Sequence, residues 1–162
     1  MIRKFFLTMV LFVISTGFSL AQNLEKPTLT PKPSTEVQKE LINEGIALHD
    51  QKLYDDAIKR YEKVLAENPD NDIALYEAAF SYYEKKDFEN ANKYALRLIK
   101  YKSRTGMLGY GLFASILDDQ KKPQEALDIY RRAIEILKNE PGYESNVGSL
   151  YFNMGVTYVR LE

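Results

Sequence analysis

The sequence contains no cysteine and no tryptophan, and its single histidine is His49. Without cysteine the chain has no disulfide, no thiolate nucleophile and no cysteine-ligated zinc site. His49 lacks a second histidine with which to hold a metal, so we interpret it as a surface residue near a helix end. The sequence also has no phosphate-binding loop, nucleophile elbow or pair of catalytic carboxylates. These absences predict a protein that is not an enzyme and that uses no metal or other cofactor.

Neither sign of charge is in excess, because 22 Lys and Arg stand against 23 Asp and Glu, for a net charge of −1. The pairs Lys121-Lys122 and Arg131-Arg132 are short and stand beside acidic residues. Nucleic-acid binding needs a basic patch, so the sequence predicts no nucleic-acid partner. A length of 162 residues, 45% of them apolar, suffices for one domain with its own core.

The one long apolar run lies at the N-terminus. Arg3-Lys4 precedes an almost entirely apolar run from Phe5 to Ile14, and Ser19-Leu20-Ala21 then places small residues where a signal peptidase reads them. We predict a signal peptide over residues 1–21, cleavage near Ala21, and export of the protein to the periplasm or the medium of a bacterial cell. An uncleaved anchor is the alternative, but the run is shorter than the roughly 20 residues of a spanning helix. We expect no integral membrane span after the leader is removed.

Residues 22–36 contain Pro27, Pro31 and Pro33. Prolines this close together prevent a helix and favour an extended segment. We predict a proline-rich linker, and the alternative is a strand that lies back in the protein's own groove.

From Thr35 onward the pattern becomes helical. Thr35 and Gln38 fit a capping box, and apolar residues then recur at intervals of three and four, with no β-type alternation. Helix breaks are predicted at Gln51–Lys52, Asn68–Pro69, Lys85–Asp87, Ser103–Gly106, Gln120–Pro123 and Asn139–Gly142. The sequence therefore predicts an all-α domain over residues 37–162, with about seven helices.

Small residues repeat along this domain. Ala57, Ala91 and Ala126 are spaced 34 and 35 residues apart, and Tyr61 and Tyr130 each follow an alanine by four residues. Twelve residues before these alanines stand Gly45, Ala79 and Ala114, and Gly155 takes the same place in a fourth unit. Two antiparallel helices approach closely only where large side chains are missing, so we expect each pair of small residues to mark a helix crossing. Enlarging one of them would overpack the crossing, at a cost of about 1–3 kcal/mol.

This pattern resembles the tetratricopeptide repeat family, whose unit is a helix–turn–helix of 34 residues. The repeats span about 38–71, 72–106 and 107–140, with a partial fourth over 148–162. The first unit matches best, with Tyr54 and the closing Asn68-Pro69. The resemblance implies a right-handed superhelical array of antiparallel helix pairs, and a scaffold that binds a peptide or protein on the concave face lined by the first helix of each pair.

The family's geometry places a putative groove on that concave face. Its predicted residues are Ile42, Ile46, His49, Asp50, Tyr76, Phe80, Tyr83, Glu84, Leu108, Gly111, Ser115 and Asp119, with Phe152 and Val156 as a continuation. Tyr76, Phe80 and Tyr83 form a stripe that we interpret as an aromatic floor for a peptide; the alternative is that the rings pack against a neighbouring helix. Some family members grip a C-terminal carboxylate here with cationic side chains. The matching positions in this chain carry no positive charge, so such a clamp is excluded.

We therefore predict a non-catalytic protein–protein interaction scaffold or adaptor of the bacterial cell envelope. The alternative is the interaction or regulatory arm of a longer enzyme or sensor. The helix over 148–162 opens a new unit and is apolar on most sides. We expect that the chain is a fragment, or that this helix is covered by a partner or by self-association.

Overall fold

The computed structural model describes residues 20–140 and 142–161. Within these ranges the chain forms seven α-helices with short connections. They are α1 Glu36–Asp50, α2 Tyr54–Glu67, α3 Asp72–Glu84, α4 Phe88–Leu98, α5 Arg104–Asp119, α6 Pro123–Leu137 and α7 Glu144–Val159. The predicted all-α class is confirmed. Of the predicted signal peptide, residues 1–19 lie outside the described part of the chain.

The helices stack as consecutive pairs. α1 packs on α2, α3 on α4 and α5 on α6, and each pair then packs on the next through α2–α3, α4–α5 and α6–α7. The first helices of neighbouring pairs also touch, since α1 contacts α3, α3 contacts α5, and α5 contacts α7. The predicted superhelical array of antiparallel helix pairs is confirmed, and it brings α1, α3, α5 and α7 together along one side.

A capping box opens the array, as the sequence predicted. The Gln38 backbone N–H donates to the Thr35 hydroxyl at 3.3 Å, and the Thr35 backbone N–H donates to the Gln38 side-chain oxygen at 3.2 Å. The two bonds satisfy donors that the first turn of α1 would otherwise leave unpaired.

A lysine in the left-handed region ends the first helix of each complete pair. Lys52, Lys86 and Lys121 have φ of 62°, 66° and 64°. The residue after each lysine donates its N–H to the carbonyl five residues earlier; these bonds are Leu53 to Leu48, Asp87 to Tyr82 and Lys122 to Leu117. This closure satisfies the last carbonyls of a helix and is more often made with glycine. The repeat is thus visible in the backbone as well as in the side chains.

The predicted break between the fourth and fifth helices is present but lies a few residues earlier, over residues 99–103. The sequence placed it at Ser103–Gly106, but α5 begins at Arg104 and Gly106 lies inside it. Ser103 caps the helix, accepting the Gly106 N–H at 2.9 Å. A Cβ at Gly106 would lie 2.1 Å from the carbonyl oxygen of Tyr101. Glycine is therefore needed here for a close approach of two backbone segments and not for a turn.

The repeated small residues lie at the helix crossings of the complete pairs. Five of these small residues have no exposed surface: Ala57, Ala79, Ala91, Ala114 and Ala126. The aromatic residues Tyr61 and Tyr130 are buried as well. A Cβ at Gly45 would lie 2.4 Å from Cε1 of Tyr61, so this ring packs directly on the glycine. Gly155 differs, because it is exposed and an added Cβ would meet no described residue within 4 Å.

The segment before α1 is not a free linker. Residues 20–35, which we call the strap, begin with a short 3-10 helix over Leu20–Asn23 and run back along the array. Leu29 forms an isolated parallel bridge with Tyr101, and the Lys32 N–H donates to the carbonyl of Asp70 at 3.0 Å. Ala21 and Leu24 are buried.

The strap lies along the edge formed by the α2–α3 and α4–α5 connections, so the alternative of a strand in the groove is also wrong. Backbone groups in these connections have no helical partner and must be satisfied by something else. The carbonyl of Lys100 accepts the N–H groups of Thr28 and Leu29, and the Asn68 amide donates to the carbonyls of Lys32 and Pro33. Within the described ranges, no helix is long and apolar enough to cross a membrane.

Replacing Gly45 by alanine should destabilise the fold by about 1–3 kcal/mol, because the new methyl group overlaps the Tyr61 ring. Gly148→Ala is the matched control, since an added Cβ there would meet no atom within 4 Å in the part of the chain that the structure describes. Alanine is the better helix former by up to about 1 kcal/mol, so the control should be neutral or stabilised. Urea unfolding of the two variants and the wild type measures both changes in the free energy of unfolding. A Gly45→Ala protein as stable as the control would show that Tyr61 does not close on this glycine.

Candidate functional site

A cavity of about 240 Å³ lies on the concave side between α3, α5 and α7, and we call it the groove. Tyr76, Phe80 and Tyr83 come from α3 and form one wall. Leu108, Gly111 and Ser115 of α5 lie across from them, together with Met107 and Leu112, which the sequence did not single out. The structure thus gathers the central part of the predicted set around one concavity.

The aromatic residues form a continuous row along the groove. The Phe80 ring centroid lies 6.2 Å from that of Tyr76 and 6.3 Å from that of Tyr83. His49 extends the row from α1, with its ring 4.9 Å from Phe80 and nearly parallel to it. All four side chains are half-buried, so they pack on the core and still reach solvent. We call this row the aromatic stripe, and it suits apolar and aromatic groups of a ligand.

Hydrogen bonds hold both ends of the aromatic stripe. His49 Nδ1 lies 2.7 Å from the hydroxyl of Ser81, and the Tyr83 hydroxyl donates to Asp119 at 2.8 Å. Burial and the bond to Asp119 raise the pKa of Tyr83, so this group remains a donor at neutral pH. Lys86 Nζ lies 4.9 Å from the Tyr83 centroid, a cation–π distance. The rings are therefore fixed before a ligand arrives, which lowers the entropic cost of binding.

The groove prediction is wrong for Ile42. Its side chain is only 4% exposed and belongs to the hydrophobic core. α1 and α3 are in contact, so the space in front of Ile42 is closed. Ile46 is half-buried against the same core, Asp50 is exposed and Glu84 is half-buried; these three flank the groove without lining it.

The wall contributed by α7 was also predicted wrongly. Phe152 is 72% exposed and does not line the groove, and Val156 lies in a smaller neighbouring recess. The residues of α7 that do line the groove are Asn146, Ser149, Leu150 and Asn153. Asn146, Ser149 and Asn153 recur at intervals of three and four, and this helical spacing is the sequence signal for the face that lines the groove.

Hydrogen bonds to Asp118 of α5 determine which side of α7 faces the groove. The carboxylate accepts the Thr157 hydroxyl at 3.1 Å and Arg160 Nη1 at 2.8 Å. Thr157 is 1% exposed, so this bond lies inside the fold. It pins the Thr157 side of α7 against α5 and directs Phe152 away from it.

Two acidic residues, Glu77 of α3 and Asp50 of α1, lie near each other outside the lining of the groove. Glu77 is half-buried on α3, and its burial together with the charge of Asp50 raises its pKa. A carboxylate in this position favours a positively charged neighbour. Across residues 20–140 and 142–161, no three His, Asp or Glu side chains are grouped to hold a metal ion.

A second cavity, of about 540 Å³, lies between the strap and α4. Leu24, Leu29, Leu96 and Ile99 are among its lining residues. One wall is the strap itself and includes Leu20, which the predicted cleavage would remove. The shape of this cavity therefore depends on the N-terminus, whereas the groove is built from helices alone.

Glu77→Gln should stabilise the protein at pH 7. The pKa of Glu77 is higher in the folded state than in the unfolded state, where it is near 4.5, so the folded protein binds the carboxyl proton more tightly. Ionisation of Glu77 therefore costs the folded state free energy. This cost is absent below the unfolded pKa and grows as the pH rises through the folded pKa. Thermal unfolding should show a gain at pH 7 that disappears near pH 4. Glu40→Gln, on the exposed face of α1, is the control that removes the same charge; an equal gain there would assign the effect to net charge.

Two sequence models of the tetratricopeptide repeat match the chain, over residues 48–102 and 109–139, which together make up just over half of it. The mouse protein N-alpha-acetyltransferase 16, NatA auxiliary subunit, is 26% identical over 111 residues. That match covers 67% of this chain and 13% of the mouse protein, so the chain spans a small part of this relative's length.

Solved structures share the fold. PcrH from Pseudomonas aeruginosa superposes with a TM-score of 0.65 at 11% identity, over 79% of this chain and 96% of PcrH. The type III secretion translocator chaperone SycD from Yersinia enterocolitica gives 0.61 at 12% identity, over 80% of this chain and 97% of SycD. At such identities the likeness shows the architecture alone. With its period of small residues, its stacked helix pairs and its matching repeat models, the chain belongs to the tetratricopeptide repeat family.

Proposed function

We propose that this protein is a non-catalytic scaffold or adaptor of the bacterial cell envelope that binds a peptide or protein in the groove between α3, α5 and α7. The observation that carries this proposal is the aromatic stripe, whose rings are half-buried, mutually stacked and anchored by Ser81 and Asp119. Rigid aromatic side chains supply much contact area at little entropic cost. Their place on the concave side suits an extended or helical peptide.

The groove's chemistry indicates which peptide would fit. Phe80, Leu108 and Leu150 provide an apolar surface for an aromatic or aliphatic anchor. Gly111 has no side chain, so α7 packs close to α5 here, with Leu150 Cδ2 3.6 Å from the position of an added Cβ. Glu77 and Asp50 lie outside the groove lining, and their charge favours a basic residue of a ligand that extends toward them. The preferred ligand is therefore an apolar anchor flanked by lysine or arginine.

The comparisons support the class of function without naming a partner. SycD is called a translocator chaperone and the mouse relative an auxiliary subunit, and both names describe proteins that act on or with other proteins.

A second candidate function is the interaction or regulatory arm of a longer enzyme or sensor. The observation in its favour is that the match to the mouse auxiliary subunit covers only 13% of that protein. The gene sequence downstream of the codon for Glu162 distinguishes the two candidates, since a catalytic or sensor domain there would favour the second.

The envelope location rests on the leader pattern of residues 1–21. N-terminal sequencing of the protein purified from its native cells should begin at Gln22. Ser19→Arg should block this cleavage, because a signal peptidase requires a small residue at that position. A mature protein that retains Met1 and fractionates with the cytosol would contradict the proposed location.

Changing Tyr76 and Phe80 together to alanine should weaken peptide binding. The measurement is panning of a phage-displayed library of linear peptides on the full chain, followed by titration of the enriched peptides. We expect enriched sequences with an aromatic or aliphatic anchor next to lysine or arginine. The double variant should bind them at least tenfold more weakly, because it loses two of the stacked rings.

The matched control for this experiment is Tyr151→Ala with Phe152→Ala. These rings are 55% and 72% exposed on α7 and do not line the groove, so binding should remain. Circular dichroism of both double variants checks that the helices persist. Peptides that bind the groove variant as tightly as the wild type would contradict the proposed site.

A further inference from the structure

The cavity between the strap and α4 has a different lining from the groove. Its volume of about 540 Å³ falls within the roughly 300–1,000 Å³ that small-molecule sites occupy. No described aromatic ring lines it, so a planar group would find no ring on which to stack. Its apolar lining residues are all aliphatic: Leu20, Leu24, Leu29, Leu96 and Ile99. Such a lining suits a flexible aliphatic chain.

Three positively charged residues line the same cavity. Lys26 belongs to the strap, Arg97 to the last turn of α4, and Lys100 to the connection that follows α4. One acidic residue, Glu25, also lines the cavity. Positive charge therefore exceeds negative charge here, although the whole chain has a net charge of −1. A local excess of this sign attracts an anionic group.

Two of these cations are free to receive an anion. Lys26 already forms an ion pair with Glu140, which does not line the cavity. Lys100 is exposed and forms no ion pair with any residue that the structure describes. Arg97 likewise pairs with no described carboxylate. An anionic ligand would therefore meet Arg97 and Lys100 without displacing an acidic side chain.

Arg97 is held in place by its neighbours. Its Nη2 donates to the carbonyl of Pro69 at 3.1 Å, and its guanidinium carbon lies 5.7 Å from the ring centroid of Tyr94. A guanidinium has five N–H donors in a planar fork that matches a carboxylate, so the bond to Pro69 leaves donors for a ligand. Because the side chain is fixed and half-buried, binding costs little entropy.

The wall that the strap contributes is fixed by bonds to the helices. The Tyr110 hydroxyl donates to the carbonyl of Glu25 at 3.0 Å, and Arg132 Nε donates to the carbonyl of Leu24 at 3.2 Å. Every lining residue except Leu20 follows Gln22 in the sequence. Removal of the leader would therefore leave the cations and most of the aliphatic lining in place.

We propose that this cavity binds a single-chain amphiphile with a carboxylate head, a ligand of the fatty-acid class. The aliphatic chain lies against Leu29 and Ile99, and the carboxylate lies at Arg97 and Lys100. A ligand with an aliphatic part and an acidic part matches both kinds of lining residue, which neither part would do alone. The proposal goes beyond peptide binding and is independent of it, because no residue lines both this cavity and the groove.

Isothermal titration calorimetry with dodecanoate, on the protein purified from its native cells, tests the proposal. All probes are used below the concentrations at which they form micelles. We expect saturable binding of one dodecanoate per chain. Hexanoate should bind at least tenfold more weakly, because it has six fewer methylene groups to bury. Dodecyltrimethylammonium has the same chain and a cationic head, so it should also bind at least tenfold more weakly.

Dodecyl phosphate distinguishes a lipid phosphate from a fatty-acid carboxylate as the source of the acidic head. Dodecanoate should bind at least as tightly as dodecyl phosphate, because the planar fork of Arg97 matches a carboxylate. Tighter binding of dodecyl phosphate would overturn the assignment to the fatty-acid class.

Arg97→Gln with Lys100→Gln removes both cations at the head. This double variant should bind dodecanoate at least tenfold more weakly and lose the preference over dodecyltrimethylammonium. Lys63→Gln with Lys122→Gln is the matched control. It removes the same charge from exposed positions that do not line the cavity, so it should bind dodecanoate like the wild type. Circular dichroism of both double variants checks that the helices persist.

Leu29→Ser tests the aliphatic wall separately. The backbone bonds of residue 29 to Lys100 and Lys102 do not involve its side chain, so the strap should stay in place. This variant should bind dodecanoate several-fold more weakly and keep the preference over dodecyltrimethylammonium. The proposal would be overturned by a wild type that does not bind dodecanoate or binds both heads equally. A cation variant that binds as tightly as the wild type would overturn it as well.

Discussion

The close packing of a first helix against its second helix at small residues is the contact on which the rest of the structure depends. At Gly45 the ring of Tyr61 occupies the space that a side chain would need, and Ala79, Ala91, Ala114 and Ala126 are fully enclosed. Each crossing fixes one helix pair, and stacked pairs place α1, α3, α5 and α7 side by side. The groove exists because the remaining sides of these first helices face a shared space.

The chemistry of the groove follows from the positions that the crossings leave free. Tyr76, Phe80 and Tyr83 stand on the groove side of α3, where they stack on one another and pack against the edge of the core. Ser81 and Asp119 hold the two ends of the aromatic stripe by hydrogen bonds. At Gly155 of α7, no described residue lies within 4 Å of an added Cβ, so this small residue forms no crossing in the described part of the chain.

The sequence predicted what depends on period and on local chemistry. Gly45 and Ala57 indicated the fold, and Thr35 and Gln38 indicated the start of α1. It missed what depends on contacts between distant residues. Proline content predicted an extended strap but not its pairing of Leu29 with Tyr101, and Gly106 serves a backbone approach that no local pattern shows. The bond from Thr157 to the carboxylate of Asp118 in α5 decides which side of α7 faces the groove. Helical periodicity contains no information on this contact, and for that reason it wrongly placed Phe152 in the groove.

The central claim is that the repeat packing creates a binding groove whose floor is the aromatic stripe. A crystal structure of the full chain with a peptide selected from a library tests it most directly. The account predicts the peptide between α3, α5 and α7, with an apolar side chain against Phe80 and a basic residue toward Glu77. A peptide seated in the cavity between the strap and α4, or on the outer side of α7, would contradict it.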